Sequence, residues 1–243
     1  MSETQLHTLP DGRSIAFRHV PGSGPTIVFL PGYMSDMAGS KAQAVFDWAE
    51  AQGRACLLLD YSGCGESPGH FADGTLSRWR DEVLALISAH CQGKVILAGS
   101  SMGGWLMLLV GLELGERLAG LVGIAAAPDF TEWGYSAEHK AQLAAGETIF
   151  EDNPYGPEPT PTHPLFWADG QQLCLLSAEI ALDCPVRLLQ GQADADVPWR
   201  TALQLAEALR SADVQVQLIK DGDHRLSRPS EIALLLAALK AMA

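Results

Sequence analysis

One pentapeptide in the 243-residue sequence has the composition of a catalytic turn: Gly99-Ser100-Ser101-Met102-Gly103, the pattern G-x-S-x-G. Alone the pattern is weak, since at this glycine and serine content roughly one chain in seven carries it by chance. Its surroundings strengthen it. An apolar run at 95–98 precedes it and a helical stretch opens near Gly103. Strand, sharp turn and helix together lift a serine above a sheet edge with its hydroxyl exposed. Ser101 is the expected nucleophile. Ser100 stands at a variable position of the pattern.

A serine hydroxyl is a weak nucleophile until a base takes its proton, and the base needs an orienting acid. Where the serine sits in such an elbow, the chain order is Ser, acid, His. Of seven histidines only His224 lies beyond residue 163. It stands in Asp221-Gly222-Asp223-His224, directly after an expected strand at 214–219, and is the expected base. The acid should follow the run at 186–190, where Asp194 and Asp196 compete within Gly191-Gln192-Ala193-Asp194-Ala195-Asp196-Val197-Pro198. The spacing G-x-x-D-x-x-V-P favours Asp194. Asp196, just before Pro198, reads as a helix cap.

An oxyanion formed on such a serine needs two preorganised N–H donors. One is the amide of Met102, the residue after the nucleophile. The other is expected from Pro31-Gly32-Tyr33-Met34, after the run at 26–30, and falls on the amide of Tyr33. Other features read as structural. Gly63-Cys64-Gly65 lacks the G-x-G-x-x-G of a nucleotide loop, because position 68 is Pro. Cys64 has no base better placed than the one serving Ser101. No His, Asp, Glu or Cys cluster has metal spacing, so no metal and no cofactor are expected.

The elements needed to position these residues follow from periodicity. Strands are expected at 5–9, 14–20, 26–30, 55–59, 94–98, 118–126, 186–190 and 214–219. Helices are expected at 40–52, with Ala44, Val45, Trp48 and Ala49 on one face, and at 75–89, 103–114, 198–209 and 230–239. Alternating strands and helices predict a mostly parallel eight-stranded sheet covered on both faces, an α/β fold. Ligands then bind at the carboxyl ends of the strands. The rhythm breaks between Pro128 and Pro185, a stretch with seven of the 14 prolines and no readable alternation. It is expected to be a cap inserted into a core of 1–127 and 186–243. Trp133, Phe166 and Trp167, among the aromatics of that stretch, are candidate walls of an acyl pocket; Tyr135, Phe150 and Tyr155 are its other aromatics.

Composition narrows the function. The chain carries 29 acidic and 16 basic residues, for a net charge of −13. Such acidity argues against a nucleic-acid partner and against an anionic membrane surface. No apolar run reaches the roughly 18 to 20 residues that span a bilayer. The start, Met1-Ser2-Glu3-Thr4-Gln5, has no basic-then-apolar leader, and five scattered cysteines form no paired framework. A cytoplasmic location with reduced thiols is expected. Ten acidic residues against Lys140 alone give 128–185 a charge of −9, and the remainder only −4. A cap so charged should repel anionic substrates if it overhangs Ser101.

Taken in order, the Pro-Gly-Tyr loop, the turn Asp60-Tyr61-Ser62-Gly63-Cys64-Gly65-Glu66-Ser67, the elbow continuing into Gly104-Trp105, Val197-Pro198-Trp199 and Gly222-Asp223-His224-Arg225 resemble an α/β-hydrolase. More narrowly they are similar to the palmitoyl-protein thioesterase and acyl-glucuronide esterase branch. The resemblance spans about 25–239. It implies a triad of Ser101, Asp194 and His224 and cleavage of an ester or thioester in a small-molecule or acylated substrate. C–C bond hydrolysis, perhydrolysis and a non-catalytic binding role on the same fold are the alternatives.

Overall fold

The computed structural model describes residues 3–154 and 156–242. In chain order its first half is β1 (Gln5–Thr8), β2 (Ser14–Val20), β3 (Ser23–Leu30), α1 (Ser40–Ala51), β4 (Arg54–Leu59), α2 (Leu76–His90), β5 (Val95–Ser100), α3 (Met102–Leu114) and β6 (Leu118–Ile124). Then come α4 (Phe130–Trp133), α5 (Ala137–Ala144), β7 (Ile149–Glu151), β8 (Thr160–Thr162) and α6 (Pro164–Gln172). The chain closes with β9 (Val186–Gly191), α7 (Arg200–Ala208), β10 (Val214–Ile219) and α8 (Pro229–Met242).

Eight strands form one sheet in the order β1-β2-β4-β3-β5-β6-β9-β10. β2 runs antiparallel to β1 and β4, and the other pairings are parallel. The parallel centre follows from composition: β4 and β5 are buried on both sides almost throughout, as continuous apolar runs demand. Alternate residues of β3 feed opposite faces. Ile27 and Phe29 meet Val45 and Phe46 of α1 and Leu235 and Leu239 of α8. Val28 and Leu30 lie in the opposite core with Trp79 and Leu86 of α2, Leu106 of α3 and Leu205 of α7. Helix α3 is buried from Met102 to Gly111, which explains why it reads as apolar all round. No helix of the described residues is long and apolar enough to cross a membrane.

Three expectations change. The buried face of α1 is Ala42, Val45, Phe46 and Ala49, with Ala44 and Trp48 only half-buried. Helix α7 begins at Arg200 behind Trp199 without a side-chain cap, so Asp196 is not its cap. Pro198 instead closes a turn through its carbonyl to Thr201 N. Residues 128–185 are not patternless: three short helices surround an antiparallel pair, β7 with β8. Three-residue strands, one holding Pro161, and a four-residue helix are shorter than any window that reveals a period. Hydrogen bonds tie this segment to α2 and α3 and close it on itself. Ser77 donates to both oxygens of Asp169, Trp105 Nε1 to the Leu173 carbonyl, and the Leu175 and Leu176 amides to Asp129.

Candidate active site

Ser101 tops the central strand β5 at φ 54°, ψ −121°, a backbone shape a non-glycine residue holds only when its surroundings over-determine it. They do so here. Its N–H donates to the Ile124 carbonyl at 2.9 Å, and its own carbonyl accepts from Gly104 at 2.8 Å and Ala127 at 3.0 Å. A side chain at Gly103 would put its Cβ 2.1 Å from the Leu30 carbonyl oxygen, so only glycine lets α3 approach the end of β3.

His224 Nε2 lies 3.0 Å from Ser101 Oγ, and His224 Nδ1 lies 3.0 Å from Asp194 Oδ2. The histidine ring is 15% exposed and the Asp194 side chain 0%. A Cβ at Gly191 would fall 2.2 Å from the Gly222 carbonyl oxygen, so glycine at the end of β9 lets the acid loop and the histidine loop touch. Asp194 accepts four bonds: His224 Nδ1 and Gln190 Nε2 on Oδ2, the Asp196 and Val197 amides on Oδ1. Burial pushes this carboxyl upward, but the hydrogen bond and charge of His224 and the two amides outweigh it and hold it below its ordinary value. The arrangement is that of a hydroxyl made nucleophilic by an imidazole whose outer nitrogen is fixed by a carboxylate.

Gly32 lies against Ser101, so the β3–α1 loop faces the hydroxyl. The Met102 amide opens α3, where no intrahelical acceptor exists for it. Both Tyr33 and Met102 line the cavity that holds Ser101 and His224. The loop is braced from the turn after β4. Asp60, 1% exposed, accepts from the Met37 amide at 2.7 Å and the Glu66 amide at 2.8 Å, and Tyr61 donates its hydroxyl to the Pro31 carbonyl. The glycine-rich turn at 60–67 thus supports the site from behind.

The sequence matches the Alpha/beta hydrolase family over residues 27–235. The chain belongs to that family. It is 36% identical over 236 residues to palmitoyl-protein thioesterase ABHD10, mitochondrial, of Homo sapiens, covering 93% of this chain and 76% of the relative. A crystal structure from Agrobacterium vitis S4 superposes with a TM-score of 0.93 at 41% identity, covering 100% of this chain and 99% of the other. Mouse alpha/beta hydrolase domain-containing protein 10 superposes with a TM-score of 0.92 at 34% identity, covering 99% and 98%.

The cavity of this alpha/beta hydrolase is about 730 Å³ and joins sheet edge to insert. Trp133 lines it, with Phe130 and Tyr135 beside it. Phe166 and Trp167 do not. Phe166 is 1% exposed, its ring 4.8 Å from that of Tyr33 and 5.7 Å from that of Trp79, so it fills the core beneath the wall. Trp167 donates Nε1 to the Thr131 carbonyl at 3.1 Å. Phe150 is 64% exposed, and Tyr155 lies outside the described residues. Cys64 is buried, and burial with the charges of Asp60, Glu82 and Asp36 pushes its thiol up to about 12, far from a thiolate nucleophile. Donor atoms of Asp194, Asp196 and His224 lie within 4.8 Å of one another. The oxygens of Asp194 already carry four hydrogen bonds, which suits a fixed orienting acid better than a metal ligand.

Sequence patterns miss several residues of this hydrolase that the structure brings to the site. Lys41 lines the cavity and donates Nζ to the Arg225 carbonyl and, at 3.4 Å, to Ser227 Oγ, tying α1 to the histidine loop. Burial first, and Arg225 second, push its ammonium down to about 8, partly opposed by Asp223 and Glu231. Tyr33 Oη donates to the Pro161 carbonyl of β8 at 3.0 Å, linking the β3–α1 loop to the insert. A lone Lys in the first turn of a helix carries no pattern that would single it out, and the Pro-Gly-Tyr loop points to the amide of Tyr33 but not to its hydroxyl.

Proposed function

We propose that the chain hydrolyses carboxylic esters or thioesters through an acyl-enzyme on Ser101. The observation that carries this reading is the pair of 3.0 Å contacts from the two His224 nitrogens to Ser101 Oγ and Asp194 Oδ2. His224 Nε2 takes the hydroxyl proton as Oγ attacks the acyl carbon. The Met102 and Tyr33 amides receive the oxyanion, and the imidazolium returns the proton to the leaving alcohol or thiol. Water, deprotonated by the same nitrogen, attacks the acyl-enzyme and releases the acid with Ser101 regenerated. The steps need no cofactor. The name of the human relative, a palmitoyl-protein thioesterase, supports acyl transfer from a thioester or ester. We read 128–185 as a cap over the acyl site, with Trp133 as one of its walls, and the protein as cytoplasmic, a reading its five free cysteines support.

A fluorophosphonate probe tests the reading. It should label Ser101 covalently, and a series of acyl esters matched with acyl thioesters of varied chain length should then give the preferred donor. Absence of an adduct on Ser101 would indicate a binding protein on this fold; an adduct without ester or thioester turnover would turn the reading to other triad chemistry.

The acidity of the cap enters at the wall. Glu151 and Asp152 come from the insert and Asp36 and Asp196 from the core, while Lys41 and Arg225 line the side nearest His224. The doubly neutralised variant Glu151→Gln, Asp152→Asn should raise kcat/KM several-fold toward an ester carrying a negative charge, and leave a neutral ester of the same length unchanged. The gain should shrink with added salt; equal salt responses of the two esters would refute a cap field.

A further inference from the structure

Gln190, on the last turnward stretch of β9, has 0% exposure and points its amide at the acid of the site. Nε2 donates to Asp194 Oδ2 at 2.9 Å, with the Gly191 carbonyl at 3.2 Å and the Val197 carbonyl at 3.5 Å around the same nitrogen. The carboxylate dictates this orientation, since the reverse would set two acceptors 2.9 Å apart. The other end of the amide is unfavourable: Oε1 is buried and has no hydrogen-bond partner among the described residues. A buried acceptor without a donor is destabilising, a cost that leucine or methionine in the same space would avoid. A polar group kept at such a position asks for a role.

Its contact supplies one. Asp194 has two oxygens and about four lone-pair directions, and all four donors are accounted for. The Asp196 and Val197 amides pin Oδ1, and Gln190 shares Oδ2 with His224. Without Gln190, the edge of the carboxylate facing the imidazole is held by the imidazole alone. We infer that Gln190 is a positioning residue for the proposed hydrolysis, fixing Asp194 Oδ2 against His224 Nδ1 and drawing electron density from that oxygen. The inference rests on the Ser101, Asp194 and His224 reading.

The consequence is a separation of stability from activity. Gln190→Leu removes the orphaned carbonyl and should melt at or above the temperature of the parent. Its kcat on the best ester or thioester of the series should fall about 10-fold, with KM within about two-fold, in the range that losing an orienting partner gives in other enzymes. The acidic limb of the kcat profile should move to higher pH, because Oδ2 relieved of one donor holds the imidazolium more tightly. The low-field proton resonance of His224 Nδ1, read in Gln190→Met as well, should shift from its parental position. Ser101→Ala serves as control. If Ser101→Ala is inactive while both Gln190 variants keep the parental kcat, acidic limb and proton resonance, the role of Gln190 is refuted and the triad stands. If Ser101→Ala stays active, the triad reading itself fails. Loss of kcat accompanied by a lower melting temperature and an unmoved resonance also refutes it, since that is the behaviour of a packing defect.

Discussion

Ser101→Ala should lower kcat by about a thousand-fold or more on every ester or thioester the chain turns over, and His224→Ala should reach the same floor. The double variant should be no worse than either single one. The reason is geometric: Oγ and Nε2, 3.0 Å apart, act in one step, so removing either removes the step. The residual rate is what the Met102 and Tyr33 amides and substrate binding supply alone. Unfolding is separated from chemistry by Ser101→Gly, which is equally unable to form an acyl-enzyme. At φ 54° glycine carries no Cβ penalty, so this variant should be as inactive as Ser101→Ala and more stable to denaturant by about 1 kcal/mol. Additive losses in the double variant, or ordinary turnover by Ser101→Ala, would overturn the assignment.

Asp194→Asn should cost roughly 10³- to 10⁴-fold in kcat, whereas Asp196→Asn should stay within a few-fold. The amides of Asp196 and Val197 would keep the oxygen of the introduced asparagine where Oδ1 of Asp194 now sits. Its NH₂ must then face both Gln190 Nε2 and His224 Nδ1. The imidazole escapes two opposed donors only by moving its proton to Nε2, the nitrogen that should receive the proton of Ser101. The same substitution has a signature in stability. Asp194 titrates below its ordinary 3.8 in the folded chain. A depressed carboxyl contributes stability that is present above the unfolded value and is lost as pH falls through the folded one. Denaturant unfolding followed through and below pH 3.8 should therefore be less steeply acid-sensitive in Asp194→Asn than in the parent. Equal loss in the two aspartate variants would move the acid role to Asp196.

What the amino-acid order reveals here depends on how the information is written. Ser101, Asp194 and His224 each lie a few residues after a strand, and strands of six residues such as β5, β9 and β10 have a readable pattern, apolar throughout in β5 up to Ala98 and alternating in most of β10. Their order along the chain and their place at one sheet edge are therefore accessible before any coordinates. The pattern leaves both Asp194 and Asp196 as candidates, and what supports Asp194 is a contact: its carboxylate lies 3.0 Å from His224 Nδ1. Phe166 and Trp167 fail as pocket walls because an aromatic type does not say which way it faces, and in short α6 both rings turn inward or find a backbone acceptor. Lys41, Gln190 and the Tyr33 hydroxyl reach their partners through side-chain hydrogen bonds across 184, four and 128 positions of chain. No local window contains the two more distant partners, and in Gln190 the signal is one amide within a strand.

The insert leaves the sheet after β6 and re-enters at β9, two strands that pair side by side with Leu121 opposite Val186. Because the two strands are parallel, the chain leaves at the carboxyl end of β6 and returns at the amino end of β9, so this segment is also the crossover between them. Its buried residues Phe166, Ile180 and Leu182 belong to the core under the sheet, while Trp133, Glu151 and Asp152 face the cavity. One stretch of chain thus does two jobs: its inner side completes the core that holds the sheet, and its outer residues set the shape and charge of the mouth of the cavity.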